Sequence, residues 1–194
     1  VNSLYGKVSA SWKSTVFVDI TGRNDWSSTL PKETRSYFYP SVAGSVVLSQ
    51  FVPMPEVFDF WKVRGSWTQT KSDLSVYETN NAFSISNNLF NGSSAAYYPT
   101  SIRGVSVLPS ATRSYELGTA VNLFKNRLKV DFTYYNKLYY NLTRQAGISE
   151  ASGFGSTLIN IDEEQLRKGF EITLSGDIIR TKDWNWNSMF NWSR

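Results

Sequence analysis

The sequence predicts an all-β chain, an antiparallel transmembrane β-barrel segment of about eight strands with short periplasmic turns and long extracellular loops. Three observations point there. Apolar and polar residues alternate over eight separate stretches, connections between them are short and long by turns, and the polar faces carry charges deep inside strands.

The strands follow in order. Leu4, Gly6, Val8, Ala10 and Trp12 alternate with Tyr5, Lys7, Ser9 and Ser11 in the first. The second sets Val16, Val18 and Ile20 against Asp19, Thr21 and Arg23, with Phe17 out of pattern. Phe38, Val42, Gly44, Val46 and Leu48 oppose Tyr39, Ser41, Ala43 and Ser45 in the third. Trp61, Val63, Gly65 and Trp67 oppose Lys62, Arg64, Ser66 and Thr68 in the fourth. The fifth runs from Ser114 to Leu123, with Tyr115, Leu117, Val121 and Leu123 on its apolar side and Glu116 on the other. In the sixth, Leu128, Val130, Phe132 and Tyr134 alternate with Lys129, Asp131, Thr133 and Tyr135. Phe170, Ile172, Leu174, Gly176 and Ile178 face away from Glu171, Thr173, Ser175 and Asp177 in the seventh. Trp184, Trp186, Phe190 and Trp192 do the same against Asn185, Asn187, Asn191 and Ser193 in the eighth. Period-two alternation of this kind is the mark of a strand with two unlike faces. LINIDEEQLRK has room for at most a turn or two of helix.

Short links occur at Lys13-Ser14-Thr15, at Lys125-Asn126 and from Ile179 to Asp183, with a longer one, SQFVPMPEVFDF, between the third and fourth strands. Long segments lie between: Asn24 to Ser36, Lys71 to Ala111 and Tyr139 to Gln165. Register provides a check. A turn at 125–126 sets Val121 opposite Val130 and Leu117 opposite Tyr134, and a loop at 13–15 sets Trp12 beside Val16 and Ala10 beside Val18. In both hairpins all apolar residues then share one face, as an unslipped register requires.

Composition narrows the chemistry. There are no cysteines and no histidines, so disulfides, thiolates, Cys-based zinc sites and His-dependent triads are excluded. A net charge of +4 without a basic run gives nucleic-acid binding little support. Asp162-Glu163-Glu164 lacks the alternate spacing of a calcium loop and reads as a solvated turn. SGFGS lacks the Lys-Ser/Thr of a phosphate loop, and no cofactor is called for. VNSLYGKVSAS has no signal-peptide pattern, and no apolar run suffices for a spanning helix. The sequence therefore predicts no enzyme.

A soluble β-sandwich alternates as well. Against it stand Gly6, Ala10, Gly44, Gly65 and Gly176 on the apolar faces, which would fill a shared core poorly. The charges Lys7, Asp19, Arg64, Lys129, Asp131, Glu171 and Asp177 suit a wet lumen in which opposite signs pair between strands. Trp12, Trp61, Trp184 and Trp186 sit at strand ends beside the short turns, where an interfacial girdle belongs. On this assignment Val130→Asp should hinder assembly and Thr133→Asp should not.

Four blocks carry a family resemblance. GRNDWSSTLPKETRSYFYPSVAGSVVLS resembles the R-x-D-G-S-S … F-P-S-V-S stretch of the SusC/RagA family of TonB-dependent outer-membrane receptors, with Arg23, Asp25, Ser27, Ser28, Arg35 and Phe38 to Val42 matching and Trp26 departing. FWKVRGSWTQT resembles the family's L-K-L-R-A-S strand through Lys62, Arg64, Ser66, Gln69 and Thr70. SYELGTAVNLFKNRLKVDFTYYNK resembles its E-L-G-L … N-N-R-L … D-x-Y-Y-x-K block through Glu116, Leu117, Gly118, Asn126, Arg127, Asp131, Tyr134, Tyr135 and Lys137. KGFEITLSGDII with DWNWNSMFNWS resembles a later hairpin.

The resemblance implies energised import of oligosaccharides, or sometimes peptides, in the bacterial outer membrane. The expected partners are a SusD-like surface lipoprotein and the TonB complex, the latter reached through an N-terminal part outside this chain. Residues 1–194 are then a portion of one barrel domain, its plug, TonB box and remaining strands lying elsewhere. A self-contained eight-stranded outer-membrane barrel and a soluble carbohydrate-binding sandwich are the alternatives.

The segment Lys71 to Ala111 offers the candidate binding residues Tyr77, Phe83, Phe90, Tyr97 and Tyr98, set among Asn80, Asn81, Asn87, Asn88 and Asn91. Aromatic faces beside amides suit sugars; the plainer reading is a loop that packs on its neighbours or on a partner lid.

Overall fold

The computed structural model describes residues 1–103 and 106–194, with Phe90 described by its backbone. Among the described residues thirteen strands form: β1 (Asn2–Trp12), β2 (Val16–Trp26), β3 (Ser36–Val47), β4 (Phe58–Ser72), β5 (Ser84–Phe90), β6 (Ser93–Tyr97), β7 (Ser101–Ile102), β8 (Ser110–Leu123), β9 (Leu128–Tyr140), β10 (Thr143–Gly147), β11 (Ser156–Asn160), β12 (Gln165–Arg180) and β13 (Asn185–Ser193). Eight make one antiparallel sheet in the order β1-β2-β3-β4-β8-β9-β12-β13, and these are the eight the alternation predicts. The other five are short and lie inside the two longest loops, as the sheets β10-β11-β7 and β5-β6. Asn- and Ser-rich stretches of this kind carry no alternation, so the sequence alone left them as loop.

Both register expectations hold. Val121 pairs with Val130 and Leu117 with Tyr134, while Trp12 pairs with Val16 and Ala10 with Val18. The turns that set them rely on left-handed backbone: φ is 49° and 53° at Lys13 and Ser14, and 57° and 62° at Lys125 and Asn126, with Phe124 before them also positive at 56°. Two consecutive positive φ values mark the turn whose twist matches that of paired strands. Thr15 N–H closes the first turn on the Trp12 carbonyl at 2.9 Å. Short connections also hold one another. The Val47 N–H donates to the Thr15 carbonyl, Phe124 N–H to the Val57 carbonyl, and Asp177 N–H to the Arg127 carbonyl. Asn126 N–H donates to Asp59 Oδ2 at 2.8 Å.

Two local departures have physical causes. Leu48 leaves the third strand for a one-turn 3-10 helix at Leu48–Gln50. A bulge between Asp177 and Ile179 lets Ile179, not Ile178, oppose Trp186. An extra residue shifts face parity by one, and two adjacent isoleucines conceal the shift from any alternation count. Of LINIDEEQLRK, residues 158–160 belong to β11 and 165–168 to β12, and residues 161–164 between them form no helix.

One face of the large sheet is apolar and bare. Leu4, Val8, Ile20, Phe38, Leu117, Trp186 and Phe190 are all exposed, and no second sheet covers them. Cross-strand rows such as Trp12–Val16–Val46–Val63–Thr119–Phe132–Ile172–Trp192 run across every strand of the wall. A sandwich would bury this face in a second layer, so the sandwich alternative fails. The small residues on it are partly roofed: a Cβ at Gly22 would come within 3.0 Å of the Phe38 ring, and one at Gly65 within 3.2 Å of Leu117. A diagonal neighbour at Gly22 and the direct cross-strand partner at Gly65 thus cover part of the backbone that the glycines leave open.

Strands β1 and β13 pair on one side each, so the eight strands do not close on themselves. Unpaired edges cannot face hydrocarbon, because each free N–H and C=O there costs several kcal/mol, roughly. The self-contained eight-stranded barrel is therefore not the arrangement adopted. Among the described residues no helix is long and apolar enough to cross a membrane, which says nothing of a β-barrel.

Candidate functional site

The opposite face of the sheet is polar, and Lys7, Asp19, Arg64 and Asp131 pair between strands as expected of a wet lumen. Asp177 pairs instead with Arg180 of its own strand, and Lys129 and Glu171 form no ion pair among the described residues. Lys7 Nζ lies 3.2 Å from Asp19 Oδ1 on the adjacent strand, and Ser9 donates to the same carboxylate. Lys137 stands 3.8 Å from Glu116. The strongest pair skips a strand. Arg64 of β4 reaches over β8 to β9, donating from Nη1 to Asp131 Oδ2 at 2.9 Å and from Nη2 to Oδ1 at 2.6 Å. Its Nη2 also donates to Thr133 Oγ1 at 2.7 Å.

Gly118 makes this crossing feasible. It pairs with both Arg64 and Thr133, directly under the guanidinium. A Cβ there would sit 2.7 Å from Arg64 Nε. Arg64, Gly118 and Asp131 come from two separate motif blocks, and the fold brings them into one fork-to-carboxylate contact of the planar type that arginine favours. Phe17, out of pattern in its strand, lies on this face with the Lys62 ammonium 5.7 Å from its ring centre. It helps line a depression with Asp19, Lys62, Arg64, Glu116 and Thr133.

At the long-loop end the chain builds its compact apolar core. Leu30, Tyr37, Val107 and Leu158 are buried together, with Tyr39 and Leu74 against them. These residues come from all three long loops and from the end of β3, so the loops fold onto one another and onto the wall. The motif residues of the first block anchor this assembly. Asp25, 4% exposed, accepts from Arg23 Nε at 2.7 Å and from Tyr39 OH at 2.7 Å. Ser27, 1% exposed, donates to Asp73 Oδ2 at 2.5 Å, and Thr34 donates to the Val107 carbonyl at 2.7 Å.

Asn160, which sequence reasoning passed over, stitches the two longest loops. Its Oδ1 accepts from Leu108 N–H at 2.6 Å, and its Nδ2 donates to the carbonyls of Leu108 and Asn141, both at 2.9 Å. No pattern of neighbours distinguishes it from the other asparagines. Asn160→Ala should therefore speed amide hydrogen exchange at Leu108 and around Asn141 severalfold, with exchange in β8 and β9 unchanged. Equal acceleration along the wall strands would show that this clamp is not local.

The sequence-predicted aromatics divide. Phe83 and Tyr98 meet edge-on with ring centres 5.4 Å apart, and Tyr98 continues to Phe154 of the neighbouring loop at 5.5 Å. Phe154, within SGFGS, is a member that sequence reasoning missed. Tyr77, with φ of 67°, lines a nearby cleft with Asn80, Asn81, Pro99, Thr100 and Arg103. Arg103 braces that cleft from below: its guanidinium donates to the Tyr77 carbonyl at 3.2 Å, and its N–H to Asn81 Oδ1 at 3.0 Å. Tyr97 is exposed and joins no ring contact among the described residues. Phe90 closes the β5–β6 hairpin opposite Ser93, and its side chain lies outside the described residues. Glu163 of the acidic run pairs with Arg144 at 3.7 Å, and among the described residues no acidic cluster has the form of a metal site.

Comparison with known proteins agrees with this architecture. The family model described as "TonB dependent receptor-like, beta-barrel" matches residues 1–194. TonB-dependent receptor P3 of Formosa agariphila is 29% identical over 200 residues, covering 99% of this chain and 20% of the relative. TonB-dependent receptor P26 of the same organism is 26% identical, covering 97% of this chain and 19% of the relative. The chain thus spans about one fifth of the length of these relatives. Among solved structures, the RagAB peptide importer in its open-open state superposes with a TM-score of 0.87 at 21% identity, over 98% of this chain and 21% of that one. The siderophore receptor PirA from Pseudomonas aeruginosa gives 0.63 at 12% identity, over 99% of this chain and 34% of that one. The family pattern runs through every wall strand and every loop between them, so the chain belongs to the TonB-dependent receptor-like β-barrel family and its large sheet is outer-membrane barrel wall.

Proposed function

We propose that residues 1–194 form one continuous portion of the wall and mouth of a single barrel domain in an importer energised through TonB. On this reading the plug, the TonB box and the remaining strands lie outside the chain. The cargo is an oligosaccharide, with peptides as the second class, and a SusD-like surface lipoprotein is the partner above the mouth. The observation that carries the reading is the division of the sheet: an exposed apolar face outward, and an ion-paired face inward beneath ordered loops. Such a wall performs no reaction; it holds a lumen open and positions loops.

Tyr77, Phe83 and Tyr98 are the residues proposed to meet cargo. Ring faces next to Asn80 and Asn81 offer apolar stacking beside amide hydrogen bonds, which suits a sugar ring. Peptide import is supported by the overall likeness to a peptide importer.

The experiment is cargo binding to the full-length receptor together with its surface lipoprotein, titrated by calorimetry with a panel of oligosaccharides and a panel of peptides of matched size. Tyr98→Ala should weaken binding of the preferred class about fivefold, in the range of one lost aromatic contact. Binding of neither class by the wild-type receptor would refute the importer reading. Unchanged affinity in Tyr77→Ala, Phe83→Ala and Tyr98→Ala alike would remove these loops from the site.

A further inference from the structure

The outward face of the wall carries a charge pattern that importing cargo does not require. Taking the outward position of every pair in the eight strands, the charged residues are Lys71, Arg113 and Lys168. All three are basic, and no carboxylate shares the face with them. All three also lie at the long-loop end, at the upper margin of the apolar rows. Lys71 pairs with Ala111 and Arg113 with Gln69, which makes the two cations diagonal neighbours on adjacent strands, about 7–8 Å apart at the backbone. Lys168 stands two strands further on, across from Asn136.

These cations differ from those facing the lumen. Inward, Lys7, Arg64 and Lys137 each have a carboxylate within 4 Å, Lys62 and Arg167 lie over the rings of Phe17 and Tyr139, and Glu116, Asp131 and Glu171 share that face with Lys129. Outward, none of the three has a carboxylate partner among the described residues. Arg113 Nε is buried yet has no hydrogen-bond partner. Its guanidinium carbon lies 5.6 Å from the centre of the Tyr140 ring, and Tyr140 OH in turn accepts from Gln69 Nε2 at 2.5 Å. The arginine is therefore held in place by a ring but left unneutralised. Trp67 and Tyr115 pair in the next row down, which sets aromatics immediately beneath Lys71 and Arg113 and level with Lys168, the charged member of the same row.

We infer that Lys71, Arg113 and Lys168 form a binding site on the outer wall for the phosphate headgroup of a lipid in the leaflet on the long-loop side. The position selects a lipid. The cluster continues directly from the apolar rows, so acyl chains lying against Leu117 and Tyr134 bring their headgroup to this height. The charge selects phosphate, since three unpaired cations without an acid attract an anion, and an arginine fork suits phosphate oxygens. Basic groups close to a surface of anionic headgroups add to one another's attraction for it. The site rests on the wall's orientation in the membrane and not on the identity of the cargo.

The test uses the full-length receptor, purified in neutral detergent and delipidated. It is mixed with micelles containing either bis-phosphorylated lipid A or the same lipid with its phosphates removed, and bound lipid is counted by native mass spectrometry. Wild type should retain the phosphorylated lipid at least fivefold more than the dephosphorylated one. The triple variant Lys71→Gln/Arg113→Gln/Lys168→Gln should lose that preference, while Lys7→Gln/Lys129→Gln, altered on the inner face, should keep it. Heat-modifiable migration on a gel checks that each variant is folded; should the triple variant fail, Lys71→Gln/Lys168→Gln takes its place. Equal retention of both lipids by wild type, or an undiminished preference in the outer-face variants, overturns the proposal. Full displacement of the lipid by inorganic phosphate at equal concentration would overturn it as well, by showing a site for the free anion. Cargo binding should be unchanged in the outer-face variants, so this site and the importer reading can fail separately.

Discussion

Val130→Asp is expected to destabilise the folded barrel by about 2 kcal/mol, because it places a carboxylate on the lipid-facing side of the wall. Val130 occupies an outward row with Trp61, Val121, Leu174 and Phe190. No polar side chain in that row can take up the charge. Phe132, one row nearer the middle of the wall, should be more sensitive still, because the cost of a charge rises toward the centre of the bilayer. The measurement is the folded fraction of the full-length receptor in a urea titration in lipid vesicles. Thr133→Asp, the inward comparison suggested by alternation alone, is no longer a clean control: Thr133 already accepts from Arg64 and sits beside Asp131. Ser175 is the better one. It faces inward opposite Lys129, and Ser175→Asp should be neutral within about 0.5 kcal/mol. Equal losses at Val130 and Ser175 would contradict the assignment of faces.

Gly118→Val should cost about 1 kcal/mol, and the loss should not add to that of Asp131→Ala. The valine would be an ordinary strand residue by propensity, and its backbone needs no unusual φ. Its Cβ, however, would stand where the Arg64 guanidinium passes, 2.7 Å from Nε. The flexible arginine would swing away and lose both bonds to Asp131 and the one to Thr133. A pair of this kind would be worth more if dry, but the two side chains are 39% and 42% exposed, so solvent screening reduces it to the order of 1 kcal/mol. Both substitutions break the same contact, so the double variant should be about as unstable as the worse single one. Full additivity in a double-mutant cycle would show that Gly118 matters for some other reason. The cycle also tests why the motif has a glycine there: to let a side chain cross, not to let the backbone bend.

Much of the wall was legible in the residues alone. Alternation found all eight strands, and two hairpin loops fixed their register, because a slip by one residue would have turned Trp12, Val121 or Leu117 to the wrong face. The alternation could not resolve the bulge after Asp177, since either isoleucine satisfies the pattern. It also read Phe17 as an exception, where the sheet shows a ring beneath Lys62.

The candidate site was less legible. Tyr77, Phe83 and Tyr98 were named from composition, and the fold sets Phe83 and Tyr98 in contact and Tyr77 in a cleft close by. Phe154 entered only because β7 pairs with β11, which joins residues from two loops more than fifty positions apart. Asn160 and Val107 gave no signal in the sequence, because an asparagine clamp and a buried loop valine depend on partners far along the chain.

What the sequence determined is which face each wall residue takes and where each short turn lies, because both follow from a period of two and from interactions between close neighbours. What the tertiary structure decided is everything that depends on the third strand away. Arg64 could be paired only once β8 lay between β4 and β9 with a glycine at the crossing. The loops could be ordered only once three of them shared Leu30, Val107 and Leu158. The outward cations could be recognised as one cluster only once Lys71, Arg113 and Lys168 were brought from positions nearly a hundred residues apart to one margin of the wall. Local pattern fixes orientation because it is set by the backbone; proximity across the sheet is set by strand order, which no local pattern contains.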